Sequence, residues 1–205
     1  MLAAMLLAGA LGSHPLAAAL AAYGEVDAYR ATLHTWSEDA GSQVVRYAWR
    51  RPGFVRMDFV EPHAGAVLVH DPRAGRASLW PFGVGTFPRL NLAPDNRLIR
   101  GARGHTVDRS DVGVLLASAE RLGRRGSVEV VGEETIDGRR TVHLAVTGSP
   151  GAEVDGVARY DLWLRVEDLF PLQAESRDAR RQLLETTRLA DVEVGARFPE
   201  NFFAP

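Results

Sequence analysis

The 205-residue chain carries 24 basic and 26 acidic side chains, a net charge of −2, so no global field draws it to nucleic acid or to an anionic surface. Hydrophobic residues at 46% and charged residues at 24% are ordinary globular proportions, which excludes disorder as a description of the whole chain. Cysteine is absent, which excludes disulfides and thiolate metal centres, and every basic residue is arginine.

The opening 22 residues, MLAAMLLAGALGSHPLAAALAA, contain no charged side chain. Ala19-Leu20-Ala21 fits the small-x-small rule for signal peptidase, so residues 1–21 are predicted to be a cleaved export signal and 22–205 one domain. The usual positive flank is missing, so a natural start a few residues upstream is the expectation. Gly9, Gly12, Ser13, His14 and Pro15 interrupt the run, which weakens a membrane-anchor reading needing about 20 apolar residues. An exported chain with no cysteine has neither a disulfide nor a site for lipid attachment at the cut. A soluble, monomeric protein of the bacterial periplasm, held by packing alone, is the expectation.

Val26, Tyr29, Leu33 and Trp36 recur at helical spacing and predict a short amphipathic helix from about Gly24 to Trp36. Strands follow: QVVRYAW alternates Val45, Tyr47 and Trp49 against Val44, Arg46 and Ala48. After the RPG turn at 51–53, FVRMDFV places Val55, Met57 and Phe59 on one face and Phe54, Arg56, Asp58 and Val60 on the other. GAVLVHD and RASLWPF flank DPRAG and suggest a hairpin. GVGTFPRLNLAPDN has no clean period and is predicted to be a loop. A helix is predicted from an N-cap at Ser110, with Asp111 in its first turn. Its apolar stripe is Val112, Leu115, Leu116, Ala119 and Leu122, and Gly123 ends it. SVEVV, RRTVHLAV, ARYDLWLRV, LQAESR and QLLETTRLADVEV complete about nine antiparallel strands, with a hairpin turn at Asp137-Gly138 and a reversal at Pro171.

Catalytic signatures are scarce. GVG at 83–85 lacks the remaining features of a dinucleotide site. His105, Asp108, Ser110 and Asp111 crowd one loop, but triad members normally converge from distant positions, and Ser110 has a plainer use as a cap. His70 and Asp71 are neighbours on a strand and so point to opposite faces, which argues against a metal pair. Arg121, Arg124, Arg125, Arg139 and Arg140 read as a solvated face without the aromatic residues that would suggest nucleic acid. Neither an enzyme nor a cofactor is expected.

An excess of apolar strand positions remains: Tyr47, Trp49, Val55, Met57, Phe59, Trp80, Phe82, Leu144, Tyr160, Leu162 and Leu164. Two helices cannot cover both faces of one large sheet, so it must close on itself or curve around something. The fold class expected is mainly β: a strongly curved antiparallel sheet forming an incomplete barrel, with helices over its concave side. An unclosed sheet leaves an apolar groove, predicted to be lined by Tyr47, Trp49, Val55, Met57, Phe59, Trp80, Leu115, Leu116, Tyr160, Leu162 and Leu164.

The order of an N-terminal helix, YAWRRPGFVRMDF, GAVLVHD, ASLWPF, a later helix and DVEVGARFPENFF resembles the LolA-like family. Those proteins are periplasmic carriers of outer-membrane lipoproteins, built on an incomplete antiparallel barrel whose concave side is lidded by helices. The resemblance implies an acyl-chain or lipid cargo and handoff proteins at the inner and outer membranes. It implies that Arg51 contacts lid backbone and couples opening to release, and that Met57 faces the cavity. The chain departs from the true carriers in its short end at NFFAP and in its GHTVDRSDVG segment, so lipid is a safer expectation than lipoprotein; a non-catalytic envelope sensor on the same fold is the alternative. Burying an acyl chain of about sixteen carbons is worth on the order of 12 kcal/mol at about 0.8 kcal/mol per methylene, so a carrier must shelter its cargo only partly.

Overall fold

A computed structural model describes residues 15–101 and 103–204. Fourteen of the residues assigned above to the export signal lie outside the described residues. In chain order the elements are α1 (Pro15–Gly24), β1 (Ala28–Ser37), β2 (Gly41–Arg50), β3 (Phe54–Glu61), β4 (Val67–Asp71), β5 (Arg76–Trp80) and β6 (Leu90–Leu92). A 3-10 turn (Val107–Arg109) and α2 (Val112–Gly123) follow, then β7 (Gly126–Ile136), β8 (Arg139–Gly148), β9 (Arg159–Arg165), β10 (Pro171–Arg177) and β11 (Leu183–Val194). The fold is mainly β. Its eleven described strands form one antiparallel sheet in the order β6-β5-β4-β3-β2-β1-β11-β10-β9-β8-β7, which leaves β6 and β7 as its two edges.

The predicted helix over Gly24–Trp36 is not there. The chain is helical earlier, in α1, and residues 28–37 are β1, paired along their length with β2. Tyr29, Leu33 and Trp36 satisfy a helical period. The alternation Tyr29, Ala31, Leu33 satisfies a strand period equally well, and Thr32 and Thr35 favour the strand. The predicted loop over residues 83–96 contains β6, three residues long and too short to show a period of its own.

Two compact units are present. The first combines the described part of Met1–Glu25 with Val112–Thr186. Along α2, Val112, Leu116, Ala119 and Leu122 are buried and Leu115 is half-buried, the stripe expected from sequence. This stripe packs on β7 and β8, and α1 packs on α2 through the region of Leu16 and Ala19. Pairing of β8 with β9 sets Val142 opposite Leu164, Leu144 opposite Leu162 and Val146 opposite Tyr160, so these six share one face. A Cβ at Gly123 would lie 3.4 Å from Val146 Cγ1, so the end of α2 rests on that same face. Asp137 and Gly138 close the β7–β8 hairpin with φ of 49° and 72°; positive values at both positions are what a two-residue turn of the right twist demands. β7 is exposed along almost its whole length, including Val128, Val130 and Val131.

The second unit combines Val26–Asp111 with Thr187–Pro205. Here the sheet is apolar on both faces. On one, Ala48, Phe54, Val67, Val69 and Trp80 pack with Phe203, and Phe198 and Phe202 cover them. The 3-10 turn packs against β3, and its Val107 is buried.

Candidate functional site

Strand pairing in the second unit aligns a cross-strand row. Ala31 on β1 faces Tyr47 on β2, Tyr47 faces Met57 on β3, Met57 faces Leu68 on β4, Leu68 faces Leu79 on β5, and Leu79 faces Leu90 on β6. Directly opposed residues share a face, so a single apolar row crosses six strands. Two parallel rows flank it: Tyr29, Trp49, Val55, His70, Ala77 and Leu92 on one side, and Leu33, Val45 and Phe59 on the other. Coverage is uneven. Tyr29, Tyr47, Trp49, Val55 and Leu68 are buried, whereas Leu33, Met57, Phe59, Leu79, Leu90 and Leu92 are only partly so.

The opposite face explains the Arg56 and Asp58 that alternate with the apolar stripe of β3. Asp58 holds the Arg56 guanidinium through two hydrogen bonds of 2.9 and 2.8 Å, and Arg56 donates a third, of 3.0 Å, to the carbonyl of Phe202. Its guanidinium also lies 4.7 Å from the centre of the Phe202 ring. Arg50 stands 4.8 Å from both Phe54 and Phe203, and Arg89 stands 5.2 Å from Trp80. The segment carrying Phe198, Phe202 and Phe203 is thus fastened over this face by apolar packing, cation–π contacts and a hydrogen bond. One face of the sheet is sealed by the protein's own chain; the other is left partly open.

The predicted lining residues distribute as follows. Tyr47, Trp49, Val55, Met57 and Phe59 share the partly open face. Trp80 does not: it pairs with Val67, and Val67 pairs with Asp58, which puts its indole on the sealed face beside Phe203. The parity of a strand relative to its neighbours depends on hairpin register, which composition does not reveal. Phe82, grouped above with the strand residues, lies beyond β5 and is exposed. Leu115, Leu116, Tyr160, Leu162 and Leu164 belong to the first unit, and there Leu116, Leu162 and Leu164 are completely buried. Sequence reasoning missed Leu68, Leu79, Leu90 and Leu92; the alternation of VLVHD and RASLW carried the signal for Leu68 and Leu79, while LNL is too short to carry one.

Tyr29 stacks on both Tyr47 and Trp49 at 5.8 and 5.7 Å between ring centres, forming the aromatic floor of this face. Burial pushes the Tyr47 phenol far above its ordinary range, so it stays protonated and can donate. It lies 3.2 Å from the hydroxyl of Ser110, which itself donates to the Val107 carbonyl at 2.8 Å. Ser110 therefore ties the 3-10 turn to β2, and α2 begins at Val112, one residue later than a cap at Ser110 would place it. His70 Nδ1 lies 3.1 Å from the carbonyl of Gly53, which fixes its proton on that nitrogen, and the Asp71 carboxylate turns the other way to accept from Arg73 N–H. Arg51 donates to the carbonyl of Val26 at 3.0 Å and approaches Asp27 at 3.5 Å, so it grips the two residues that lead into β1.

On the other face of β8 and β9, in the first unit, His143 stands between Asp161 at 3.0 Å and Glu134 at 3.1 Å and stacks 4.2 Å over Trp163. Asp161 also accepts two hydrogen bonds from Arg159. Burial opposes ionisation of Asp161, but the hydrogen bonds from Arg159 and His143 outweigh it and hold the carboxyl below its usual range. Of the arginines read as a solvated face, Arg121 pairs with Asp155, Arg124 with Glu120 and Arg140 with Glu133.

No family model and no curated protein matches the chain. Solved structures do. The chain is similar to lipoprotein LppX of Mycobacterium tuberculosis (TM-score 0.51, 12% identity, 90% of this chain and 94% of that one). It is also similar to a chain of the MucA/MucB complex of Pseudomonas aeruginosa (TM-score 0.51, 17% identity), covering 93% of this chain and 59% of that one. A LolA superfamily protein of Nitrosomonas europaea matches with a TM-score of 0.36 and 15% identity over 93% and 97% of the two chains. At these identities the likeness to LppX and to the MucA/MucB complex chain is one of fold alone.

Proposed function

We propose that the chain is an exported, non-catalytic carrier that shelters an acyl chain of a lipid or lipoprotein on the partly open face of β1–β6. The observation that carries this reading is the contrast between the two faces of that sheet region. The face bearing Phe54, Val67 and Trp80 is closed by Phe203 and its neighbours. The face bearing Leu33, Met57, Phe59, Leu79 and Leu90 retains partly exposed apolar side chains across four strands. Partial shelter is what a carrier that must release its cargo requires, and the unbranched Met57 adapts to a mobile chain. Similarity in fold to a lipoprotein, LppX, supports the reading. Arg51, fastened to the entry of β1, is the residue proposed to couple loading to movement of that segment.

The test is native mass spectrometry of protein from the periplasm, followed by lipid extraction. Bound acyl species in the wild type, and their loss in Met57→Glu with the circular dichroism unchanged, are expected. Equal loading of the mutant would remove the assignment. The similarity to MucB, found in complex with MucA, favours a second reading in which the same face engages a protein segment. A chain that is purified without lipid and ignores fluorescent fatty acids would support it.

A further inference from the structure

Half of the exposed large apolar side chains among the described residues fall in one stretch between β5 and the 3-10 turn: Phe82 at 71%, Val84 at 54%, Phe87 at 92% and Leu98 at 71% exposure. Their arrangement is specific. The Gly83 carbonyl accepts the Thr86 N–H at 3.2 Å and the Thr86 hydroxyl at 2.5 Å, closing a tight turn. Phe82 and Phe87 flank that turn and Val84 sits within it, so three apolar side chains project from one short finger. Its base is stiff, since Arg89 lies over the Trp80 ring and donates to Ser78.

Two phenylalanines left mostly in water are costly unless something covers them. Charge indicates what does. Residues 81–101 carry Arg89, Arg97 and Arg100 against Asp95 alone, a local excess of two positive charges in a chain whose net charge is −2. Arg103 follows directly, and Arg97 makes no ion pair among the described residues. Size indicates the same partner. Three side chains on a finger offer far less area than the roughly 800 Å² per partner of a stable protein interface. A bilayer surface accepts a few inserted aromatic side chains carried by a locally basic stretch of chain.

We propose that the finger at Phe82–Phe87 is a membrane-docking element: Phe82, Val84 and Phe87 enter the headgroup region of an anionic phospholipid bilayer while Arg97, Arg100 and Arg103 meet its phosphates. This goes beyond carriage, because docking needs no ligand on the β1–β6 face.

Flotation of the exported protein with vesicles of phosphatidylethanolamine and phosphatidylglycerol tests it. Binding is expected to these vesicles, to weaken as salt is raised, and to be much poorer with pure phosphatidylcholine. The double variant Phe82→Ser, Phe87→Ser should bind at least about tenfold more weakly, and Arg97→Gln about fivefold, both with unchanged thermal unfolding. The double serine variant should still bind fluorescent fatty acids like the wild type, so failure of docking and failure of the carrier reading are separable. Undiminished flotation of the double serine variant, or no flotation with anionic vesicles, overturns the proposal. Loss of binding to a purified envelope protein by the serine variant, with no vesicle binding by the wild type, would assign the finger to a protein partner instead.

Discussion

Arg56 and Phe202 are joined twice, through a 3.0 Å hydrogen bond to the Phe202 carbonyl and a guanidinium 4.7 Å from its ring. They are 146 positions apart, and the contact decides which face of β3 is available to anything else. The aromatic tail beside it packs with Phe54, Val67 and Trp80.

Removing that contact should loosen the tail. Arg56→Ala forfeits a charge-assisted hydrogen bond and a cation–π contact and leaves Asp58 unpartnered by it, about 1–3 kcal/mol together. Phe203→Ala opens the cluster itself and should cost about 3–5 kcal/mol. Both are read by denaturant unfolding, and Phe203→Ala should be the larger; the reverse order would mean that the clamp, not packing, holds the tail.

Core and lining leucines should differ in kind. Leu162 is completely buried in the first unit, so Leu162→Ala should destabilise by about 2–5 kcal/mol. Leu79 is only partly covered on the open face, and Leu79→Ala should cost less than about 1.5 kcal/mol while weakening fatty-acid binding. Thermal unfolding and a fluorescent fatty-acid titration on both variants make the comparison.

Acid should act through Asp161. Its carboxyl is held below the ordinary 3.8, so its contribution to stability is complete above that value and is lost as the pH falls through the lower folded value. In Asp161→Asn the stability should depend less steeply on pH between about 2 and 5, measured by urea unfolding across that window. An unchanged slope would show that other carboxylates carry the acid response.

Helix α1 bears on the proposed cut after Ala21. Leu16 and Ala19 are buried against α2, and a cut after Ala21 would remove both. A chain beginning at Ala22 should therefore unfold at a lower temperature than one beginning at Pro15, by several degrees at about 2–4 °C per kcal/mol. Sequencing the amino terminus of the protein recovered from cells then shows whether the proposed cut is made.

Much of this was legible in advance, and the failures share a cause. The stripe of α2 and the alternation of β2 and β3 each repeat often enough to identify a period. Asp137-Gly138 announces its hairpin because few residues tolerate two successive positive φ values. Residues 28–37 misled because an alanine and threonines blunt the alternation, leaving Tyr29, Leu33 and Trp36 to mimic a helix. Trp80 was assigned to the wrong face because the register linking β5 to β3 is a property of two turns, not of either strand. The tail aromatics Phe198, Phe202 and Phe203 lie in irregular chain, where no period exists to signal that they cover a sheet.

The exposed strand β7 has a consequence for handling the protein. Eleven residues of open edge form a template on which a second copy could add its own strand and begin a fibre. Glu129, Glu133 and Glu134 blunt that edge with charged side chains, Glu133 and Glu134 held by Arg140 and His143 of the neighbouring strand. Their joint replacement by Thr should therefore let concentrated stocks gel or form fibres that bind thioflavin, while stocks of the wild type stay clear.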